Sequence, residues 1–163
     1  MSKLKELMLR RPGLHLAAAE SLTCGRIQAR IGTISGASDF FAGGITAYTL
    51  EQKVRHLGVR REMAAPVNSV SAAVAEQMAC GACTLFGADV GVATTGYAEP
   101  SAEWAVTEPF AWWAVAHRPR EGPFRARSGR VDCPGASRTE AQERAADAAM
   151  DALVAWLEEI RAK

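Results

Sequence analysis

A serine directly after a short apolar run, and a lysine at the start of a later helical stretch, are the residues of this chain best suited to chemistry. Glu20-Ser21-Leu22-Thr23-Cys24-Gly25 stands where an apolar run gives way to a helical pattern. A hydroxyl there lies beside backbone N–H groups that lack helical partners, and such groups hold oxyanions and phosphates. A plainer use of the same residues is that Ser21 or Thr23 caps the helix. Lys53, with Tyr48 five residues before it, flanks a second such junction. A lysine can act as general base for a serine once burial lowers its pKa. On an amphipathic helix it is otherwise an ordinary surface cation. Thr94-Thr95-Gly96 closes a third apolar run. Its hydroxyls suit either contact with a ligand or capping of a strand end.

Placing these groups together requires a particular kind of scaffold. The 163 residues are 48% hydrophobic and 23% charged, which fits one globular domain over residues 1–163. Five runs read as strands: 14–19, 43–48, 88–95, 110–117 and a more polar 124–131 suited to an edge. Helical spacing is read at 2–11, 23–31, 50–57, from the capping Ser71 to about Phe86, and over 139–160. The last carries an apolar stripe of Ala145, Ala149, Leu153, Trp156 and Ile160. Strands alternating with helices predict an α/β fold. Apolar strands such as 88–95 need cover on both faces, so a three-layer α/β/α sandwich is expected. Its sheet of about five strands should be mixed and mostly parallel, with one antiparallel pair between the fourth and fifth strands. Ligands of such sheets bind at the carboxyl ends of the strands. All three polar segments named above fall there.

Composition excludes some roles. A net charge of +1 argues against a protein that binds nucleic acid through a broad basic surface. Five arginines lie between Arg118 and Arg130, interleaved with Pro, Gly and small residues, and read as a solvated hairpin. No run approaches the roughly 20 apolar residues of a membrane span, and Met1 to Arg11 lacks a secretory apolar core, so a cytoplasmic protein with reduced cysteines is expected. Cys80-Gly-Ala-Cys83 falls within a helix without a second ligand pair, and His15, His56 and His117 match no metal spacing. No metal and no cofactor are expected. Cys24 reads as structural, with a reactive thiol at a helix start as the alternative. Trp112 and Trp113 should point to opposite faces of their strand.

Taken in order, the segments form a pattern. Ala19-Glu20-Ser21-x-Thr23-x-Gly25, Gly43-Gly44-Ile45-Thr46-Ala47-Tyr48-x-x-x-x-Lys53, Leu57-Gly58-Val59, Val70-Ser71, Gly87-Ala88-Asp89 and Thr95-Gly96-x-Ala98-x-Pro100 resemble the CinA C-terminal domain family, nicotinamide-nucleotide amidases, over nearly the whole chain. The resemblance implies hydrolysis of the carboxamide of nicotinamide mononucleotide to nicotinic acid mononucleotide and ammonia, without metal. It implies Ser21 as nucleophile, Lys53 as base and Tyr48 as a residue that orients or tunes the pair. Glu20, Thr23, Gly25, Thr95, Gly96 and Arg138 would bind substrate, with the Arg138 guanidinium suited to phosphate. The partners expected are a small-molecule substrate and further copies of the chain, as a dimer or trimer. Neither membrane nor direct nucleic-acid contact is expected. The extra N-terminal domain of longer family members is not seen, so no regulation through it is expected.

The chain departs from the family pattern in places. Cys24 replaces the first of two adjacent glycines, and Leu22 replaces a cysteine. After Gly96, a glycine-rich stretch gives way to Glu99-Pro100-Ser101-Ala102-Glu103-Trp104-Ala105-Val106-Thr107-Glu108-Pro109-Phe110-Ala111. Glu108 stands for a lysine, Ala111 for a glycine, and Gln142 for a second basic residue. Three new carboxylates should repel a phosphorylated substrate. Such a loop suits retained activity, amidase action on a less anionic amide, or a non-catalytic binding or interaction module. An open pocket over Ser21 favours the enzyme; a loop plugged by Trp104 or a glutamate favours the module.

Overall fold

The computed structural model describes residues 2–162. Eleven α and β elements follow one another as α1 (Lys3–Leu9), β1 (Leu16–Glu20), α2 (Arg26–Gly32), β2 (Phe41–Thr46), α3 (Leu50–Leu57), α4 (Arg61–Ala64), α5 (Ala72–Phe86), β3 (Val90–Tyr97), β4 (Phe110–His117), β5 (Arg125–Asp132) and α6 (Arg138–Arg161). The sheet order is β2-β1-β3-β4-β5. β1 pairs in parallel with both β2 and β3, while β3–β4 and β4–β5 are antiparallel. Only β4 is reversed, so the sheet is mixed and four strands share a direction. The single antiparallel pair expected from sequence is two pairs, because β3 turns back through residues 98–109 instead of crossing over.

Burial explains the layers. All five residues of β1 are buried, and alternate ones face opposite ways. Leu16 and Ala18 join Val90, Val92 and Val115 against Leu4, Met8, Ile27, Ile31, Leu153 and Leu157 of α1, α2 and α6. Ala17 and Ala19 join Ala93, Ala114 and Ala116 against Leu57, Val74, Met78 and Ala79 of α3 and α5. Each large side chain buried this way contributes about 1.5–3 kcal/mol. Trp113 packs with the first cluster and Trp112 with the second, the opposite faces that strand alternation requires. The alanine-rich second face lets α5 lie close to the sheet. At Gly91 even a Cβ would overlap the Ala79 carbonyl and sit 2.9 Å from Cys83 Sγ.

The two ends of the sheet differ. β5 is the polar edge strand expected from the sequence, and two of its arginines are occupied locally. Arg127 forms a two-point ion pair with Glu159 at 2.7 Å for each bond, and Arg130 binds Asp132 at 2.8 Å. α2 is tied to α6 by Arg26 and Arg30, which reach Glu143 and Asp147 at 2.6–2.9 Å. Exposed pairs of this kind contribute about 0.2–1 kcal/mol each. α6 starts where Ser137 and Glu140 complete a reciprocal capping box, so Arg138 is its first residue. Among the described residues, no helix is long and apolar enough to cross a membrane.

Candidate active site

Ser21 follows the last residue of β1, and its N–H donates to Thr94 O of β3 at 3.1 Å. The expected helix over 23–31 begins only at Arg26, because residues 21–24 form a tight turn. Glu20 builds that turn. It is fully buried, and its Oε2 accepts from Thr23 Oγ1 (2.6 Å), Gly25 N–H (3.0 Å) and Ile27 N–H (3.1 Å). Its Oε1 accepts from Gln28 N–H at 2.9 Å. A carboxylate inside the first turn of α2 thus satisfies donors that the helix leaves unpaired. Thr23 Oγ1 also lies 2.7 Å from Thr94 Oγ1. With its own proton given to Glu20, it receives the Thr94 hydroxyl.

Cys24 and Gly25 complete the turn with φ of 47° and 93°. The departure at Cys24 therefore left the backbone in the left-handed region, where a side chain costs about 1–2 kcal/mol. Cys24→Gly should raise the urea midpoint by an amount worth about 0.5–1 kcal/mol, with an unchanged slope. An unchanged or lowered midpoint would show that the turn carries no such strain.

Lys53 comes from the first turn of α3, which Thr49 caps by accepting from Gln52 N–H. It is 2% exposed. Its Nζ lies 3.0 Å from Ser21 Oγ and donates to Tyr48 O at 2.8 Å. Burial lowers its pKa from 10.5 to about 8, and no carboxylate pairs with it among the described residues. A neutral amine held this way donates one proton to Tyr48 O and turns its lone pair to the Ser21 hydroxyl. Ser21 and Lys53 meet across the junctions of β1–α2 and β2–α3. β2 ends at Thr46, two residues before the end read from sequence, which frees Ala47 and Tyr48 to form the connecting loop.

Both residues open on a cavity of about 470 Å³, also lined by Thr95, Gly96, Tyr97, Glu99, Trp104 and Arg138. The altered loop does not plug it. Residues 101–106 close into a small hairpin, with Ser101 and Val106 exchanging backbone bonds of 2.9 and 2.8 Å. Trp104 stays 37% exposed on the rim. Glu108 is turned away and accepts from Gly135 N–H at 2.9 Å, so only Glu99 and Glu103 of the three new carboxylates face the cavity.

Several expected roles are relocated. Glu20, Thr23 and Gly25 do not line the cavity; they hold the turn beneath it. The Tyr48 side chain makes no hydrogen bond to the Ser–Lys pair among the described residues. Its carbonyl positions Lys53, while its hydroxyl, on a 49% exposed ring, accepts from Arg138 Nη2 at 2.9 Å. Thr95 is 1% exposed and donates to Ser69 O at 2.7 Å. Arg138 reaches the cavity, but its Nη1 is held by Glu99 Oε1 at 2.9 Å. Asn68, Val70 and Tyr97 line the cavity without having been expected there. Asn68 and Ser69 have φ of 50° and 60°, and Asn68 donates to the Tyr97 hydroxyl at 3.2 Å. An asparagine two residues after a proline was the available signal, since asparagine is the non-glycine residue most tolerant of that conformation.

A three-layer α/β/α domain with a buried lysine against a strand-end serine is the class that these observations define. The chain belongs to the CinA C-terminal domain family, whose model matches residues 1–157. It is 37% identical over 141 residues to a CinA-like protein of Mycolicibacterium gilvum (strain PYR-GCK), covering 86% of this chain and 32% of that protein. It is 45% identical over 87 residues to a putative competence-damage inducible protein of Moorella thermoacetica, covering 53% of this chain and 21% of that one. The chain thus spans a third or less of these curated relatives. Among solved structures, it resembles a competence-damaged protein (CinA) superfamily protein of Klebsiella pneumoniae 700603 with a TM-score of 0.84 and 28% identity, over 96% of this chain and 94% of that one. A competence/damage inducible protein of Agrobacterium tumefaciens gives 0.75 and 30%, over 97% of both chains.

Proposed function

We propose that this protein is a metal-free amidohydrolase that cleaves a linear carboxamide, of a nicotinamide nucleotide or a related amide, with Ser21 as nucleophile and Lys53 as base. The contact of 3.0 Å between a buried, partner-poor amine and a serine hydroxyl facing an open cavity is the observation that carries the reading. A buried lysine needs a reason to be where it is, because a hydrophobic residue of the same length would pack there at lower cost.

The steps follow from the groups present. Neutral Lys53 takes the Ser21 proton as Oγ attacks the carboxamide carbon. The N–H of Ser21 is spent on Thr94 O, and that of Cys24 on Ser21 O. Leu22 and Thr23 N–H, which make no hydrogen bond among the described residues, are the donors left in the turn for the tetrahedral oxyanion. One such donor is worth about 3 kcal/mol. Lys53 ammonium then returns its proton to the departing nitrogen, which leaves as ammonia. Water, deprotonated by the same amine, releases the carboxylic acid from the acyl-Ser21 ester.

This reading fixes a pH dependence. The active form of Lys53 is the deprotonated one, so ammonia release at low substrate should rise with pH and level off above a midpoint near the lysine pKa of about 8. A rate that falls through that range, or stays flat, would rule out lysine as the base.

A further inference from the structure

The cavity floor belongs to the Ser–Lys pair, but its outer wall carries a different message about what may enter. Arg138 is the one guanidinium in the lining, and its fork is already engaged by the Glu99 carboxylate and the Tyr48 hydroxyl, both at 2.9 Å. Glu103 lines the same wall and has no ion-pair partner among the described residues. Above about pH 8, where Lys53 is in its working, neutral form, the lining thus holds one cation and two carboxylates, a net of −1. A phosphate dianion entering here competes with Glu99 for Arg138 and sits beside two like charges. A cationic ring meets the reverse: two carboxylates and the partly exposed rings of Trp104 and Tyr48, with Trp the strongest of the aromatic partners for a cation.

Resting on the amidase reading above, we infer that the preferred ligand is an unphosphorylated, cationic aromatic carboxamide, a pyridinium on a bare ribose instead of one on a ribose phosphate. Glu99 sets this preference by holding Arg138, and Glu103 and Trp104 receive the ring. The Ser21 end of the cavity is indifferent to the distinction, since it touches only the carboxamide that both compounds share.

Two measurements separate the inference from the reading beneath it. Calorimetric binding of nicotinamide riboside and of nicotinamide mononucleotide to the Ser21→Ala protein reports ligand preference without turnover; ammonia release by the native protein reports chemistry. The riboside should bind at least about tenfold more tightly, a difference of about 1.4 kcal/mol. Glu99→Gln should free Arg138 and move the ratio toward the mononucleotide by about tenfold. Tighter binding of the mononucleotide, a ratio that Glu99→Gln leaves unchanged, or binding of neither compound would overturn the inference. Preferential binding of the riboside with no ammonia from either compound would uphold the inference and remove the amidase reading.

Discussion

Lys53→Met should silence the protein while making it more stable. The side chain is 2% exposed, and no carboxylate compensates its charge among the described residues. Its pKa falls from 10.5 in an ordinary setting to about 8 in the fold, so the unfolded chain binds the proton more tightly. The sign follows from linkage: below about pH 8 the folded state carries the full cost of a buried ammonium, and that cost fades as pH rises from about 8 to 10.5. Methionine has similar length and no charge to desolvate. At about pH 7 the variant should gain about 1–3 kcal/mol in urea unfolding, with the gain shrinking toward pH 10.5. Turnover should drop by about a thousandfold or more, because the serine loses its base. A variant both less stable and still active would show that Lys53 is a structural residue. A functional site that costs stability is the general pattern when chemistry needs a buried charge.

The second large effect lies beneath the serine. Glu20→Ala should cost about 3–5 kcal/mol, because three backbone N–H groups and the Thr23 hydroxyl lose a shared, buried carboxylate. Glu20→Gln keeps the shape but sets an amide nitrogen against at least one of those donors, for a loss of about 2 kcal/mol. Both should lower turnover as well, since Glu20 fixes the turn that presents Ser21. A midpoint in urea within error of the native protein for Glu20→Ala would mean that water replaces the carboxylate and that the turn stands without it.

Much of this was legible in the residues. The five strands and their edge could be read from apolar runs, since β1 and β3 are buried on both faces and β5 alternates with arginine. α3 and β4 fall on the residues expected, and Ser71 caps α5 as its side chain suggested. What was not legible depends on groups distant in the chain. The start of α2 at Arg26 is set by Glu20, whose carboxylate accepts from donors up to eight residues further on. Periodicity carries no trace of that. The short α4 (Arg61–Ala64) has too few residues to show a period.

The candidate site divides the same way. Ser21 and Lys53 could be named because the ordered set of segments resembles the family pattern; by position alone they read equally as a helix cap and a surface cation. Tyr48 was expected to orient or tune the pair, and its contact with Lys53 is through the backbone carbonyl, a group that every residue carries and no sequence distinguishes. The stretch over 99–111 could be seen to have changed, but not that Ser101 and Val106 would pair, nor that Glu108 would turn to Gly135. Likewise the Glu99–Arg138 pair joins residues 39 positions apart in the chain, and only the fold brings them within 2.9 Å.

The most direct test of a Ser–Lys amidase is ammonia release by the purified native protein, with nicotinamide riboside and nicotinamide mononucleotide as substrates and Ser21→Ala measured beside it. Turnover of at least one compound by the native protein, lost in Ser21→Ala while its circular dichroism stays native, is the expected result. No ammonia from either compound at high protein concentration, or undiminished release by Ser21→Ala, would contradict Ser21 as the nucleophile and the assignment built on it.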